Sequence, residues 1–271
     1  MIAPMDDLRA DLDLALDLAR IADAVTVPRF RAVDLKVETK PDTTPVSEAD
    51  RAAEEALREH LAAARPGDGI LGEEYGTTGT ADRRWILDPI DGTMNYVRGI
   101  PVWGTLIALE IAGEVRVGVV SAPAIGHRWW AARGLGAWRN GDPIRVSAVA
   151  SLGDAQLSYN AWATAEGAGL GPQMIDLERR CWRTRGYGDF WSHMLVAEGA
   201  ADLAVEPIAA VWDLAPLKIV VEEAGGRFTD LSGAPRLDGG NALSSNGLLH
   251  EAALAILAGG GAPPPGSKVV P

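Results

Sequence analysis

The amino-acid sequence predicts an α/β protein in which helices cover a β-sheet. Two observations predict this class. Strand-like and helical runs alternate over residues 143–258, and two helix-forming segments precede a series of short strand-like runs within residues 1–142. A chain of 271 residues is long enough for one large domain or two closely packed ones. We therefore expect an N-terminal α+β subdomain over 1–142 and a C-terminal α/β subdomain over 143–258.

Two helices are predicted in the first 70 residues. Leucine and alanine recur at helical spacing over residues 7 to about 25, and the aspartates and alanines among them disfavour a strand. Ser47 and Asp50 have the spacing of a capping box, which predicts that a second helix begins near Ser47. Residues 65–69, Arg-Pro-Gly-Asp-Gly, should end that helix.

Short runs of apolar residues predict the strands of the N-terminal half. These runs lie at 70–71, 85–87, 102–111, 115–121 and 128–132. Ala112 and Gly113 separate two of them by the length of a tight turn, so we predict a β-hairpin there.

Strands and helices alternate in the C-terminal half. Strands are predicted at 156–159, 203–205 and 227–229. Helices are predicted near 173–180, 190–200, 214–224 and 248–257. Residues 259–271 are dense in glycine and proline and are predicted to form a flexible tail outside the fold.

The composition argues against several classes of function. Lysine and arginine number 25 against 37 aspartates and glutamates, and the net charge of −12 argues against general binding to nucleic acid or an anionic membrane. No apolar run reaches the roughly 18 residues of a membrane span. The N-terminal segment carries aspartates where a signal peptide needs a basic and then an apolar stretch. Cys181 is the only cysteine, which fits a reducing compartment, so we predict a cytoplasmic protein.

Residues 85–95, WILDPIDGTMN, combine an apolar strand with two carboxylates, a proline and a glycine. Asp88 and Asp91 are three residues apart around a turn directed by the proline. Both can therefore converge on a hard cation such as Mg²⁺, with the Ile90 carbonyl as a third oxygen ligand. Gly92 permits close approach of the backbone, and amides after it can bind phosphate at a helix start. The alternative is an ordinary Asp-Gly turn with Asp88 as a cap.

Three further carboxylates are candidates for the same site. Glu73 follows a short strand and can bridge cations, although the pair it forms with Glu74 is also typical of a solvated surface. The capping box alone explains Asp50, and an N-cap alone explains Asp213. Because helix N-termini also stabilise anions, a cap at Asp213 is compatible with a metal and phosphate site.

Other phosphatase and metal-site patterns do not fit the sequence. The segment that starts at Asp88 is not an EF-hand loop, because Pro89 falls in the ligand region and Gly99 stands at the twelfth position. The Asp-x-Asp motif of aspartyl-phosphate enzymes is absent from this segment. Cys181 has Tyr187 six positions later, where a cysteine phosphatase has arginine. The four histidines lack paired metal-ligand spacing.

Two longer motifs resemble those of the inositol monophosphatase superfamily of Mg²⁺-dependent, lithium-sensitive phosphatases. The first is Asp-Pro-Ile-Asp-Gly-Thr at 88–93, and the second is Trp-Asp-x-Ala at 212–215 with Glu-Ala-Gly-Gly at 223–226. The resemblance extends from the first helix to about His250. It implies a layered αβαβα sandwich of two packed subdomains, of which the N-terminal one carries most metal ligands, and a homodimer.

The resemblance also implies two or three Mg²⁺ ions in one site. The residues that match the ligands of the first ion are Glu73, Asp88 and the Ile90 carbonyl, and those that match the second are Asp88, Asp91 and Asp213.

The same resemblance assigns catalytic and substrate contacts. Asp50 and Thr93 match the pair that activates water, and Glu73 shares in catalysis through the first ion. The residues implied to contact a phosphate monoester are Gly92, Thr93, Asp189, Glu206 and Asp213.

Within the superfamily the chain more closely resembles bacterial histidinol-phosphatases, through residues 65–74, 97–109, 117–132 and 187–190. L-Histidinol phosphate has a leaving group with an ammonium and an imidazole, for which Glu206 and Asp189 would be anionic partners. An aromatic surface for it could come from Trp103, Tyr187, Phe190 or Trp191, although core packing alone explains each of these residues. One alternative is the same reaction on inositol or another sugar monophosphate. The other is a non-catalytic metal-binding protein, against which the presence of Thr93 and Asp50 speaks.

Overall fold

A computed structural model of the protein describes residues 5–40, 44–79 and 82–259. Of the tail predicted at 259–271, only Gly259 is among these residues. No helix in the described part of the chain combines the length and the apolar character needed to cross a membrane.

The chain divides into two compact units. The first consists of Met1–Pro143 and Trp212–Glu223, and the second of Ile144–Val211 and Ala224–Pro271. The segment Trp212–Glu223, which lies within the expected C-terminal subdomain, thus makes its contacts with the first unit.

The described residues contain helices and strands with the following bounds. The helices are α1 (Met5–Arg29), α2 (Glu48–Ala64), α3 (Thr93–Val97), α4 (Trp162–Gly167), α5 (Gly171–Arg180), α6 (Asp189–Ala197), α7 (Val211–Glu223) and α8 (His250–Leu257). The strands are β1 (Val37–Thr39), β2 (Pro45–Ser47), β3 (Gly69–Gly72), β4 (Gly76–Thr78), β5 (Arg83–Asp91), β6 (Gly104–Ile111), β7 (Glu114–Ala122), β8 (His127–Ala132), β9 (Ala137–Arg139), β10 (Asp142–Ile144), β11 (Gln156–Tyr159), β12 (Arg183–Arg185), β13 (Leu203–Glu206), β14 (Arg227–Thr229) and β15 (Ala242–Ser245).

The first unit is built on an eight-stranded sheet in the order β10-β9-β8-β7-β6-β5-β3-β4. β3 and β5 run parallel, whereas the pairs β5–β6, β6–β7, β7–β8 and β8–β9 are antiparallel. The hairpin predicted at Ala112 and Gly113 joins β6 to β7. Both turn residues have positive φ, 53° and 80°, as the two-residue turns that match strand twist require.

Helices cover both faces of this sheet. α1 and α2 bury Leu18 and Leu57 against one face, together with Val119 of β7. Side chains alternate along a strand, so the neighbouring Gly118 lies on the opposite face. There α7 approaches so closely that a Cβ at position 118 would stand 2.9 Å from the Pro216 carbonyl oxygen. Glycine at this position therefore lets α7 lie directly on β7.

The second unit has a five-stranded mixed sheet in the order β12-β11-β13-β15-β14. Leu157 and Leu203 face a core that they share with Leu177 of α5 and with α8. On the opposite face, Ser158 lies 2.7 Å from Ser192 of α6, oxygen to oxygen. Each unit is thus a sheet covered by helices on both faces, as the sequence predicts for this fold class.

Two predicted helices have different bounds in the structure. The helix expected at 190–200 ends at Ala197, because Gly199 adopts φ 73° and closes the helix with the left-handed residue typical of a C-terminus. The helix expected at 214–224 begins earlier, at Val211, so Asp213 lies inside its first turn. The interpretation of Asp213 as an N-cap is therefore wrong.

Candidate metal centre

β5 ends in a β-bulge that carries both aspartates of the first motif. The pairing of β5 with β6 shifts register between Asp88 and Asp91. Pro89 has no N–H to donate to the ladder, which favours such an irregularity. The Thr105 hydroxyl donates to the Pro89 carbonyl at 2.8 Å and so satisfies that buried oxygen. Residues three apart face opposite sides of a regular strand, and the bulge lets both carboxylates approach one point.

Asp213 joins these two aspartates in a cluster of three carboxylates. Asp88, Asp91 and Asp213 each offer one oxygen, and the three oxygens lie within 4.8 Å of one another. Oxygen ligands at this spacing suit a hard cation such as Mg²⁺. The structure therefore brings together three of the residues that the sequence proposed as metal ligands.

The helix that carries Asp213 is held at its middle and at its C-terminal end. The close contact at Gly118 sets Pro216 and Ile219, in the middle of α7, against β7. At the C-terminal end, Glu223 accepts the N–H groups of Gly134 at 3.0 Å and Gly136 at 3.1 Å. Arg133 pairs with Glu222 at 2.8 Å. The glutamate of the Glu-Ala-Gly-Gly motif thus anchors the helix, while the aspartate of the same helix supplies the cluster.

The burial and the electrostatics of Asp88 indicate whether the cluster suits a cation. Asp88 is 1% exposed, and its Oδ1 has no hydrogen-bond partner among the described residues. Burial raises the pKa of Asp88 well above its ordinary value, and the negative charges of Glu73, Asp91 and Asp213 raise it further. A buried carboxylate oxygen without a donor is costly, and a cation would satisfy it. The donor set and the unpartnered oxygen both fit Mg²⁺.

Glu73 lies beside the cluster at the end of β3. Its N–H donates to the Leu87 carbonyl at 3.1 Å, and a hydrogen bond links its carboxyl group to that of Asp88. The Lys40 ammonium donates to Glu73 at 2.7 Å and to Glu74 at 2.6 Å. Although partial burial lowers it, these two hydrogen bonds raise the pKa of Lys40 above its ordinary value. A lysine therefore bridges the two glutamates, and the pair is not simply a solvated surface.

Asp50 completes the capping box of α2 with one oxygen of its carboxyl group and reaches Thr93 with the other. Its Oδ2 accepts the Ser47 N–H at 2.8 Å and the Ser47 hydroxyl at 2.6 Å, so the predicted capping box is confirmed. Its Oδ1 lies 3.2 Å from the Thr93 hydroxyl, which is also 2.9 Å from the Ile90 carbonyl. Burial raises the pKa of Asp50, against the effect of the Ser47 hydrogen bonds, and the charge of Glu73 adds to the rise. The acid of the capping box and the candidate base are therefore the same residue.

Gly92 begins the short helix α3 beside Asp91. It has φ 79° and ψ 38°, a left-handed conformation that glycine adopts without strain. Its carbonyl accepts the N–H of Asn95 at 2.9 Å and of Tyr96 at 3.0 Å. The first N–H groups of a helix lack partners within the helix, so this turn can offer donors to an anion.

Two acidic side chains of the second unit, those of Asp189 and Glu206, hydrogen-bond the same side-chain amide. Asn160 donates to Glu206 at 3.4 Å and also hydrogen-bonds Asp189. Burial raises the pKa of Asp189 to about 6, while the hydrogen bond with Asn160 opposes the rise. Glu206 is buried at the end of β13. Sequence reasoning missed Asn160, whose only signal is its position directly after a strand.

The four aromatic residues considered for the leaving group fall into two classes. Trp103 and Phe190 are 0% and 1% exposed, so of the two alternatives core packing explains them, and a contact surface for the leaving group does not. Tyr187 and Trp191 are half-buried, and their ring centroids lie 5.4 Å apart in an edge-to-face arrangement. These two remain available to a ligand of the second unit.

Comparison with known proteins identifies the family. The family model described as the inositol monophosphatase family matches residues 7–259. The chain belongs to the inositol monophosphatase family. This finding confirms the resemblance that the two motifs indicated.

Curated relatives and solved structures cover nearly the whole chain. The protein named histidinol-phosphatase from Streptomyces coelicolor is 53% identical over 262 residues, 93% of this chain and 98% of that protein. The protein of the same name from Mycobacterium tuberculosis is 54% identical over 256 residues, 92% and 98% of the two chains. The structure of an inositol monophosphatase from Zymomonas mobilis has a TM-score of 0.82 at 34% identity, with 95% and 100% coverage. The predicted α/β fold of the inositol monophosphatase type is therefore confirmed.

Proposed function

We propose that this protein is a Mg²⁺-dependent phosphate monoester hydrolase that converts L-histidinol phosphate and water into L-histidinol and phosphate, a step of histidine biosynthesis. The observation that carries the proposal is the cluster of three carboxylates, in which the buried Asp88 has an oxygen without a protein donor. The family and the names of two relatives that are 53% and 54% identical support the reaction and the substrate.

Glu73, Asp88 and the Ile90 carbonyl would hold one Mg²⁺, and Asp88, Asp91 and Asp213 would hold a second. The family resemblance allows two or three ions in the site. Bound Mg²⁺ lowers the pKa of a coordinated water and neutralises negative charge on the phosphate. Without it, the four carboxylates would repel an anionic substrate.

Thr93 and Asp50 would carry the proton of the attacking water. The Thr93 hydroxyl can accept that proton while it donates its own to Asp50 Oδ1, which lies 3.2 Å away. The raised pKa of Asp50 makes it a stronger base than an exposed aspartate. Because Asp50 Oδ2 is engaged by Ser47, the carboxyl group keeps a fixed orientation during the transfer.

The remaining residues would bind and select the substrate. Amides at Gly92 and Thr93 would donate to the phosphate, with Asp213 beside it. Glu206 and Asp189 would accept hydrogen bonds from the ammonium and imidazole of histidinol. Neutral sugars lack such cations, so this acidic pair favours histidinol phosphate over inositol phosphate.

A phosphate-release assay tests the proposal. The enzyme is stripped with EDTA, desalted and supplied with L-histidinol phosphate, inositol 1-phosphate or p-nitrophenyl phosphate, with and without Mg²⁺. We expect turnover only with Mg²⁺ and the highest kcat/KM for histidinol phosphate. Metal-independent turnover would refute the metal mechanism, and faster hydrolysis of inositol phosphate would assign the enzyme to sugar phosphates. No turnover on any ester would favour a non-catalytic metal-binding protein.

We further propose that the protein is a homodimer located in the cytoplasm. The family resemblance implies a homodimer, and the single cysteine fits a reducing cytoplasm. Light scattering after gel filtration should give twice the chain mass of 28.6 kDa. A mass of one chain at micromolar concentration would refute the dimer.

A further inference from the structure

α2 buries a carboxylate directly behind the turn that carries Glu73. Glu54 is 0% exposed. Its Oε2 accepts the Glu74 N–H at 2.7 Å, and its Oε1 accepts the Tyr75 N–H at 3.2 Å. The two backbone amides that follow Glu73 are thus both bound by one side chain of another element.

Arg58 lies one helical turn after Glu54 and balances its charge. Its Nε donates to Glu54 Oε1 at 2.7 Å. Its other nitrogens donate to the Gly76 carbonyl and, at 2.8 Å, to the Thr78 hydroxyl. The pair therefore ties α2 to the whole connection from β3 to β4. A buried ion pair is expensive to desolvate and adds little stability over apolar packing, so its value here lies in fixing a geometry.

Gly72 provides the space for this carboxylate. A Cβ at position 72 would overlap the Glu54 carboxyl group, with Oε2 only 2.8 Å away. Gly72 is not among the glycines with positive φ, so the position needs glycine for room and not for backbone conformation. Glu73 is thus held from both sides, by its own N–H on Leu87 and by Glu54 on the next two amides.

We propose that Glu54 is a positioning residue that aims the Glu73 carboxylate at the cation site. The inference rests on the proposed function, in which Glu73 is a metal ligand. Glu54 fixes the backbone on the C-terminal side of Glu73, and its charge is neutralised by Arg58, so it contributes no ligand of its own. Mutation of residues that orient metal ligands typically costs about 10- to 100-fold in metal affinity or activity.

Glu54→Gln is the direct test, measured as Mg²⁺ binding by calorimetry on EDTA-stripped protein. Glutamine keeps the size of the side chain but replaces one acceptor oxygen with an NH₂ group, so one amide of the turn loses its partner. We expect the Mg²⁺ dissociation constant to rise on the order of tenfold. The matched control is Glu55→Gln, an exposed glutamate on the same helix, which should leave the constant unchanged.

Combination with Glu73→Gln shows through which residue Glu54 acts. In the Glu73→Gln background, which itself weakens binding, Glu54→Gln should cause no further loss. An equal loss in both backgrounds would overturn the inference. A lower melting temperature with an unchanged dissociation constant would overturn it as well, because it would leave Glu54 a purely structural role. Normal Mg²⁺ binding by Glu73→Gln alone would overturn the proposed ligand set together with this inference.

Gly72→Ala tests the same geometry without removing the carboxylate. The added methyl group displaces the Glu54 carboxyl group, so Mg²⁺ binding should weaken as it does in Glu54→Gln. Gly67→Ala is the control, because a Cβ at position 67 meets no atom within 4 Å and its φ is not positive. Wild-type Mg²⁺ affinity in folded Gly72→Ala would overturn the proposed positioning.

Discussion

Replacing Asp88 with asparagine should stabilise the metal-free protein while it abolishes stabilisation by Mg²⁺. The oxygens of Asp88, Asp91 and Asp213 lie within 4.8 Å of one another. At that distance two unit negative charges repel by roughly 3–4 kcal/mol at an effective dielectric constant of about 20. Asp88 takes part in two such pairs, and asparagine, which is nearly isosteric, removes both.

Proton uptake limits the size of this gain. The pKa of Asp88 is raised well above its ordinary value of 3.8 by burial and by the neighbouring carboxylates. Asp88 can therefore bind a proton in place of bearing the repulsion. Protonating a carboxyl group of pKa 3.8 at pH 7 costs about 4 kcal/mol, so the gain from Asp88→Asn has that ceiling. At pH 5 the same ceiling falls to roughly 1–2 kcal/mol.

The stability gained in Asp88→Asn should increase with pH. A carboxyl group whose folded pKa is raised destabilises the folded state above its unfolded pKa, and the cost grows with pH up to the folded pKa. Asp88→Asn should thus raise the melting temperature in EDTA by up to roughly 10 °C at pH 7 and by much less at pH 5. In wild-type protein, Mg²⁺ at about 100 times its dissociation constant should add about 2.7 kcal/mol, and in Asp88→Asn it should add nothing.

Urea unfolding and thermal melts in EDTA, at both pH values, measure these effects. Asp82→Asn, an exposed aspartate just before β5, is the control and should change neither quantity. A less stable Asp88→Asn protein at pH 7 would refute the reasoning, as would a gain of the same size at pH 5.

Three further outcomes can be checked with single substitutions. Thr93→Ala and Asp50→Asn should each lower kcat by about 10²- to 10⁴-fold with nearly unchanged KM in steady-state assays, because both act on the attacking water; a raised KM with normal kcat would contradict this. Glu206→Gln should lower kcat/KM for histidinol phosphate by roughly ten- to a hundredfold but barely affect p-nitrophenyl phosphate, and equal losses would place Glu206 in the scaffold. Burial lowers the pKa of His193 from 6.5 to about 4, so wild-type stability should fall as the pH drops through that interval, and urea midpoints of His193→Gln should fall less.

The sequence predicts the convergence of the Asp88 and Asp91 carboxylates because the signals for it are local. Asp88 and Asp91 flank a proline that disrupts the ladder, and this departure from a regular strand is visible in six consecutive residues. The capping box at Ser47 is equally local, and the structure contains both of its hydrogen bonds. Elements of this kind need no knowledge of distant parts of the chain.

What the sequence does not predict depends on distant partners. β12 consists of Arg-Thr-Arg and becomes a strand only because β11 offers a parallel edge. Glu54 looks like a solvated helix residue until the backbone amides after Glu73 lie against it. For Trp103 the sequence leaves core packing and a binding surface both open, because aromatic side chains suit both, and only burial separates the two.

α2 contains both kinds of residue: Asp50, which has a local sequence signal, and Glu54, whose role depends on a distant part of the chain. Asp50 and Glu54 are four residues apart, so they lie on the same face, and both are 0% exposed on a helix that otherwise buries alanine and leucine there. Asp50 lies in the first turn of the helix and reaches Thr93, while Glu54 holds the turn of Glu73, so the helix start and the site share one geometry. Any shift of α2 along its axis would move the candidate base and a candidate ligand together. The two acids on this face are costly to bury, and in return they fix where the candidate base lies relative to the cation site.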